Sequence, residues 1–129
     1  MARKILLVDD EAGFTELLKM NLERAGGYEV RIENDSTKAL AAVRSFMPDA
    51  ILLDVVMPGM DGGDVQAQLQ ANPLLARIPI VMLTALVDST ELSEGAVAQA
   101  GSQMVLPKPV NLPLLLRVLD DILPAETAA

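Results

Sequence analysis

The 129-residue chain contains no cysteine and no histidine. Without cysteine there are no disulfides, thiolate metal sites or cysteine nucleophiles. Without an imidazole there is no histidine-built zinc site, no Ser-His hydrolase triad and no phosphohistidine carriage. Tryptophan is missing as well, and Phe14, Tyr28 and Phe46 are the only aromatic residues, although 51% of the chain is hydrophobic. The core must therefore be aliphatic, a composition that suits parallel strands sandwiched between helices. No apolar run approaches the ~18 residues of a membrane span. The opening MARKILLVDD turns acidic where a signal peptide would stay apolar, so a cytoplasmic protein without a membrane segment is expected. Positive charge is scarce: 10 basic against 18 acidic side chains give a net charge of −8. That balance repels phosphate backbones and argues against direct nucleic-acid binding, whereas a cation or a basic protein patch is a fitting partner.

The length suits one domain, able to bury about two-thirds of the surface its unfolded chain exposes. Ile5 to Val8, Ala50 to Leu53 and Ile80 to Leu83 are short continuous apolar runs, as expected of strands covered on both faces. Tyr28, Val30 and Ile32 alternate with charged neighbours and predict a half-exposed edge strand. Met104 to Leu106, just before Pro107, predicts a second marginal strand. Between them the period becomes helical. Phe14, Leu17, Leu18, Asn21, Leu22 and Ala25 mark a helix that stops at Gly26 and Gly27. Ala39, Leu40 and Val43 mark a second helix starting near Asp35 or Ser36, and Val65 and Leu69 a third. Asp88 and Glu91 form a candidate capping box for a fourth, weakly packed helix. Asn111 is placed to cap a fifth, with Leu112, Leu115, Leu116, Leu119 and Ile122 on one face and Leu114 and Val118 on another. Residues 124–129 read as a flexible tail or the start of a linker, leaving 1–123 as the domain.

Five alternating strand and helix pairs with short connections predict right-handed crossovers into an open parallel sheet. Such sheets bind ligands at the carboxyl ends of their strands. Asp9, Asp10 and Glu11 follow the first strand, Asp54 ends the third, Thr84 and Ala85 the fourth, and Lys108 follows the fifth. Each alone has an ordinary explanation as a solvated turn, a cap or an exposed cation. Together they place the carboxylates of Asp9, Asp10 and Asp54 in one pocket. Two unit charges about 4 Å apart repel by roughly 4 kcal/mol at an effective dielectric near 20, so the cluster should raise carboxylate pKa values or recruit a cation. Hard oxygen ligands favour Mg²⁺, which commonly completes its shell with phosphate oxygen. Lys108 and the Thr84 hydroxyl add a positive charge and a neutral donor for phosphate, and an aspartate facing a phosphoryl donor is a competent nucleophile.

Over residues 3 to 123 the chain resembles the receiver domains of bacterial response regulators, including the single-domain chemotaxis regulators. The resemblance rests on LLVDDE at 6 to 11, LLDVVMPGMDG at 52 to 62, Thr84 with Ala85, and LPKP at 106 to 109 with the preceding Ala100 and Gly101. It implies a flavodoxin-like, doubly wound α/β fold: a five-stranded parallel sheet of order 2-1-3-4-5 with five helices. It further implies phosphorylation of Asp54 by a histidine kinase or phosphotransfer protein, and Mg²⁺ held directly by Asp10, Asp54 and the backbone carbonyl of Val56, with Asp9 acting through water. Lys108 would pair with the phosphoryl group, Thr84 would move to it, and the Lys108–Pro109 peptide would be cis. Pro58 and Gly59 resemble the turn that shapes the loop beneath the site. Such a domain is a switch rather than an enzyme, assisting only its own phosphorylation and slow dephosphorylation. Its output would leave through the fourth helix, fifth strand and fifth helix, with Leu114 and Val118 as contacts or as plain core. The downstream target or effector domain is not specified by the sequence, and a phosphorylation-dependent dimer stays open.

Three residues depart from the family pattern. Val105 stands where most relatives carry the aromatic ring that reports phosphorylation. Gly63 replaces a large apolar residue and should weaken the third helix by roughly 1 kcal/mol relative to alanine. Pro107 removes a backbone donor from the last strand. Two rival readings remain on the residues alone. An aspartyl-nucleophile phosphatase of the haloacid dehalogenase type would need a second aspartate where Val56 stands. A pseudo-receiver, an interaction module working without phosphorylation, usually lacks a pocket residue, and all five are present here.

Overall fold

The continuous apolar runs become the centre of one sheet. In chain order the elements are β1 (Arg3–Val8), α1 (Ala12–Ala25), β2 (Tyr28–Glu33), α2 (Ala39–Phe46), β3 (Ala50–Asp54), α3 (Gly62–Gln70), β4 (Ile80–Thr84), β5 (Ala98–Ala100), β6 (Gln103–Pro107) and α4 (Leu112–Ile122). This computed structural model describes residues 2–85, 98–100 and 103–123. The strands lie in the order β2-β1-β3-β4-β6-β5. The first five pair in parallel, which is the expected 2-1-3-4-5 order with β6 as the fifth parallel strand. β5 pairs antiparallel with β6 and was not expected. It moves Met104 to Leu106 inward from the sheet's margin.

Strand periodicity divides the core into two. Ile5, Leu7 and Leu52 face one apolar cluster with Leu18 and Leu22 of α1 and Leu115, Val118 and Leu119 of α4. Leu6, Val8, Ile51 and Leu53 face the other, with Ala39, Ala42 and Val43 of α2 and Val65 and Leu69 of α3. Helices therefore cover both faces. Truncating a fully buried leucine such as Leu52 or Leu115 to alanine would cost about 2–5 kcal/mol. Val118, a candidate output contact on sequence, belongs to the core, because α4 packs a wide arc against the sheet; Leu114 is half-buried beside it.

The helix boundaries follow local chemistry. α1 ends at Gly26, whose φ of 88° suits glycine. A 3-10 turn at Ser36–Lys38, capped by Asp35, leads into α2. α3 opens on a reciprocal capping box of Asp61 and Asp64, which offsets the weakness expected from Gly63. Asn111 caps α4 through a 3.0 Å bond from the Leu114 N–H, as predicted. The expected fourth helix, with Asp88 and Glu91, the Gly101 of the family pattern and the tail at 124–129 lie outside the described residues. Among the described residues no helix is long and apolar enough to cross a membrane.

Candidate functional site

Register brings the predicted residues to one end of the sheet. Val8 is level with Leu53, Asp54 with Leu83, and Thr84 with Pro107. The next residue after each strand therefore enters the same rim. Asp9 and Asp54 are buried carboxylates and Thr84 a buried hydroxyl, which is unusual for such groups unless they are partnered.

Asp9 is fixed from several sides. Its N–H donates to the Glu33 carbonyl at 3.2 Å, its carbonyl accepts from Asn34 Nδ2 at 2.8 Å, and its Oδ1 accepts from the Glu11 N–H at 3.0 Å. Its Oδ2 lies 2.6 Å from Lys108 Nζ. The same ammonium is 3.0 Å from Glu11 Oε1 and 3.5 Å from Asp54 Oδ2, and it stands 4.7 Å from the centre of the Phe14 ring. Lys108 itself follows β6, its N–H donating to the Thr84 carbonyl at 3.0 Å, and its bond to Pro109 is cis, as the resemblance implied. Asp54 Oδ1 accepts a 3.4 Å bond from the Val56 N–H.

The electrostatics follow from this crowding. Burial pushes the Asp54 carboxyl above its ordinary range and the charge of Asp9 adds to the rise; Lys108 and the Val56 N–H only partly oppose them. For Lys108, burial acts to lower the ammonium, yet the hydrogen bonds to Asp9 and Glu11 and the charges of Asp9 and Asp54 outweigh it and hold the group above its usual value.

The floor of the site is set by a close backbone approach. The Gly62 N–H bonds to the Val55 carbonyl at 2.8 Å, and a Cβ on Gly62 would meet the Asp54 carbonyl at 2.5 Å. Glycine is required there because α3 begins against the backbone of Asp54.

Asp10, Glu11, Asp54, Val56, Ala85 and Lys108 line an open cavity of about 380 Å³. Asp10 is exposed on its rim. Among the described residues, carboxylate oxygens of Asp9, Glu11 and Asp54 lie within 4.8 Å of one another, so Glu11 joins the expected aspartates at the centre, while Asp10 lines the same cavity. The sequence alone assigns no specific role at the site to Glu11, or to Phe14, which it marks only as part of the periodicity of α1. One signal was present: Glu11 occupies the N-cap of α1, a place that favours Ser, Thr, Asp or Asn, and its side chain makes no capping bond.

The family described as the response regulator receiver domain matches residues 5–120. The chain belongs to that family. This receiver domain is 41% identical over 113 residues to the DNA-binding response regulator MtrA of Mycolicibacterium paratuberculosis, covering 87% of this chain and 48% of that protein. It is 40% identical over 111 residues to the response regulator PleD of Caulobacter vibrioides, covering 86% of this chain and 24% of that protein. The receiver thus spans about half the length of the MtrA relatives it matches, or less for PleD. Among solved structures it resembles the chemotaxis protein CheY4 of Vibrio cholerae, with a TM-score of 0.77 and 31% identity over 95% of this chain and all of that one. A receiver domain is a phospho-acceptor signalling switch, and neither rival reading draws support from these relatives.

Proposed function

We propose that Asp54 is the phospho-acceptor, charged by a histidine kinase or phosphotransfer protein, and that Asp9, Asp10, Lys108, Thr84 and the Val56 carbonyl complete the reacting site. The observation that carries this reading is a buried carboxylate at the end of β3 with an ammonium 3.5 Å away at the edge of an open cavity. In the transfer, an Asp54 carboxylate oxygen forms a bond to phosphorus as the phosphorus–nitrogen bond of the donor phosphoimidazole breaks, the electron pair returning to the ring nitrogen. Burial raises the energy of the ionised carboxylate and so favours its use as a nucleophile. Lys108 offsets charge on the phosphoryl oxygens, and the Thr84 hydroxyl offers a neutral donor beside them.

The donor set fits Mg²⁺, since the hard carboxylates of Asp10, Glu11 and Asp54 line a cavity with a local excess of negative charge. Asp10, Asp54 and the Val56 carbonyl would hold the ion, with Asp9 acting through water. Bound there, Mg²⁺ supplies charge neutralisation for the transferring group. We place the domain in the cytoplasm, where its donors work.

The test is incubation with acetyl phosphate and Mg²⁺, followed by mass spectrometry. One phosphoryl group labile to hydroxylamine is expected on the wild-type chain and none on Asp54→Asn. Equal labelling of both would refute the assignment.

A further inference from the structure

The ammonium of Lys108 is closer to two partners from the β1–α1 junction than to the acceptor. It lies 2.6 Å from Asp9 Oδ2 and 3.0 Å from Glu11 Oε1, against 3.5 Å to Asp54 Oδ2. Asp9 is fixed by the pocket itself. Glu11 is the N-cap of α1 but makes no side-chain capping bond, so hydrogen bonding to its own helix does not account for where its carboxylate points. Its backbone is nonetheless tied to the site through the 3.0 Å bond from its N–H to Asp9 Oδ1. Its carboxylate, on an otherwise exposed side chain, turns inward to an ammonium that is only 10% exposed.

We propose that Glu11 is a positioning residue that holds Lys108 back from Asp54 in the unphosphorylated domain, and so sets how readily the site accepts a phosphoryl group. The inference rests on the reading of Asp54 as acceptor. A phosphoryl group on Asp54 draws Lys108 toward it, and the Glu11 contact competes with that movement. A ligand or group that favours one of two states shifts the balance by its difference in contacts between them. Glu11 contacts Lys108 in the unphosphorylated state and loses ground in the other. The effect is modest, because one end of the pair is in solvent. Releasing Lys108 should raise the rate of phosphorylation and the affinity for a phosphoryl mimic by about threefold to fivefold.

The experiment measures, with Mg²⁺ present, the rate of labelling by acetyl phosphate and the affinity for beryllofluoride. Four chains are compared: wild type, Glu11→Gln, Lys108→Ala and the double variant. Glu11→Gln is expected to gain about threefold to fivefold in both measurements, while the same change in the Lys108→Ala background does nothing. A gain of equal size in both backgrounds would mean that Glu11 acts by its own charge on the incoming anion, and overturns the proposal, as does no gain in either. A shift in melting temperature without a change in rate or affinity marks a merely structural residue and overturns it too. If the wild type takes no phosphoryl group, the acceptor reading fails first and the inference falls with it. Labelled wild type with an unaltered Glu11→Gln sinks the inference alone.

Discussion

Lys108→Ala in metal-free buffer removes the one cation that, among the described residues, touches Asp9, Glu11 and Asp54. The Asp9 side chain is 2% exposed and that of Lys108 10%, so the pair counts as buried. Removing one partner of such a pair costs about 3–5 kcal/mol, mainly because the other charge is left uncompensated. We take about 3 kcal/mol, since the cavity opens to water on the Asp10 and Glu11 side and softens the penalty. An unfolding entropy of about 2.1 cal/mol/K per residue gives ~0.27 kcal/mol/K for a chain of 129 residues, and hence a drop of about 11 °C. Thermal unfolding followed by far-ultraviolet circular dichroism measures it directly. Mg²⁺ should stabilise the variant more than the wild type, because the carboxylates then lack their competing ammonium. The lysine is held above its ordinary value of 10.5. Its contribution is thus complete below that value and lost only at higher pH, so the penalty stays flat between about pH 6 and 9. A drop under about 3 °C, or equal Mg²⁺ shifts in both proteins, would show that Lys108 does not balance the pocket.

Asp54→Asn should raise the metal-free melting temperature at neutral pH, since the carboxyl it replaces is held above its ordinary range by burial and by Asp9. A raised carboxyl destabilises the fold where it is ionised and recovers its proton early on acidification, so the gain must shrink as pH falls; a growing gain refutes it. Gly62→Ala places a methyl group 2.5 Å from the Asp54 carbonyl and 2.9 Å from Met82 Cε. It should cost roughly 2–3 kcal/mol in urea unfolding and slow labelling of Asp54, whereas near-wild-type stability would mean that α3 can back away. Asp61→Ala breaks the capping box of α3 and should cost about 1 kcal/mol with labelling unchanged; a fall in labelling rate would tie that cap to the site.

Those features of the fold that reside in local pattern were legible in the residues. Uninterrupted apolar runs marked β1, β3 and β4, alternation marked the exposed edge of β2, and Gly26 and Asn111 marked helix ends, because each reports burial or backbone chemistry within a few residues. The convergence of Asp9, Asp10, Asp54, Thr84 and Lys108 on one rim followed from parallel topology alone. Features that depend on distant contacts were not legible. Gly63 departs from the family pattern, but Gly62 is the glycine that meets the backbone of Asp54, a proximity no periodicity encodes. Val118 could face either way until the placement of α4 put it in the core. β5 is three residues of small or polar type, too short to leave a pattern. The contact of Glu11 with Lys108 is a side-chain conformation spanning 97 positions of sequence, which no local pattern encodes.

That span bears on the order in which the domain assembles. Asp9 and Glu11 enter the chain early, whereas Lys108 arrives only with β6, which docks on β4, itself docked on β3. Contacts between residues so far apart form late, because the chain entropy lost in closing a long loop is recovered only when the closure is complete. A nascent or half-folded chain therefore presents its carboxylates to one another with no counter-charge, a state that mutual repulsion keeps open. The ammonium that balances the pocket is also the group expected to receive the phosphoryl charge. On the reading of Asp54 as acceptor, the charge balance that phosphorylation draws on would therefore be complete only once β6 has docked on β4.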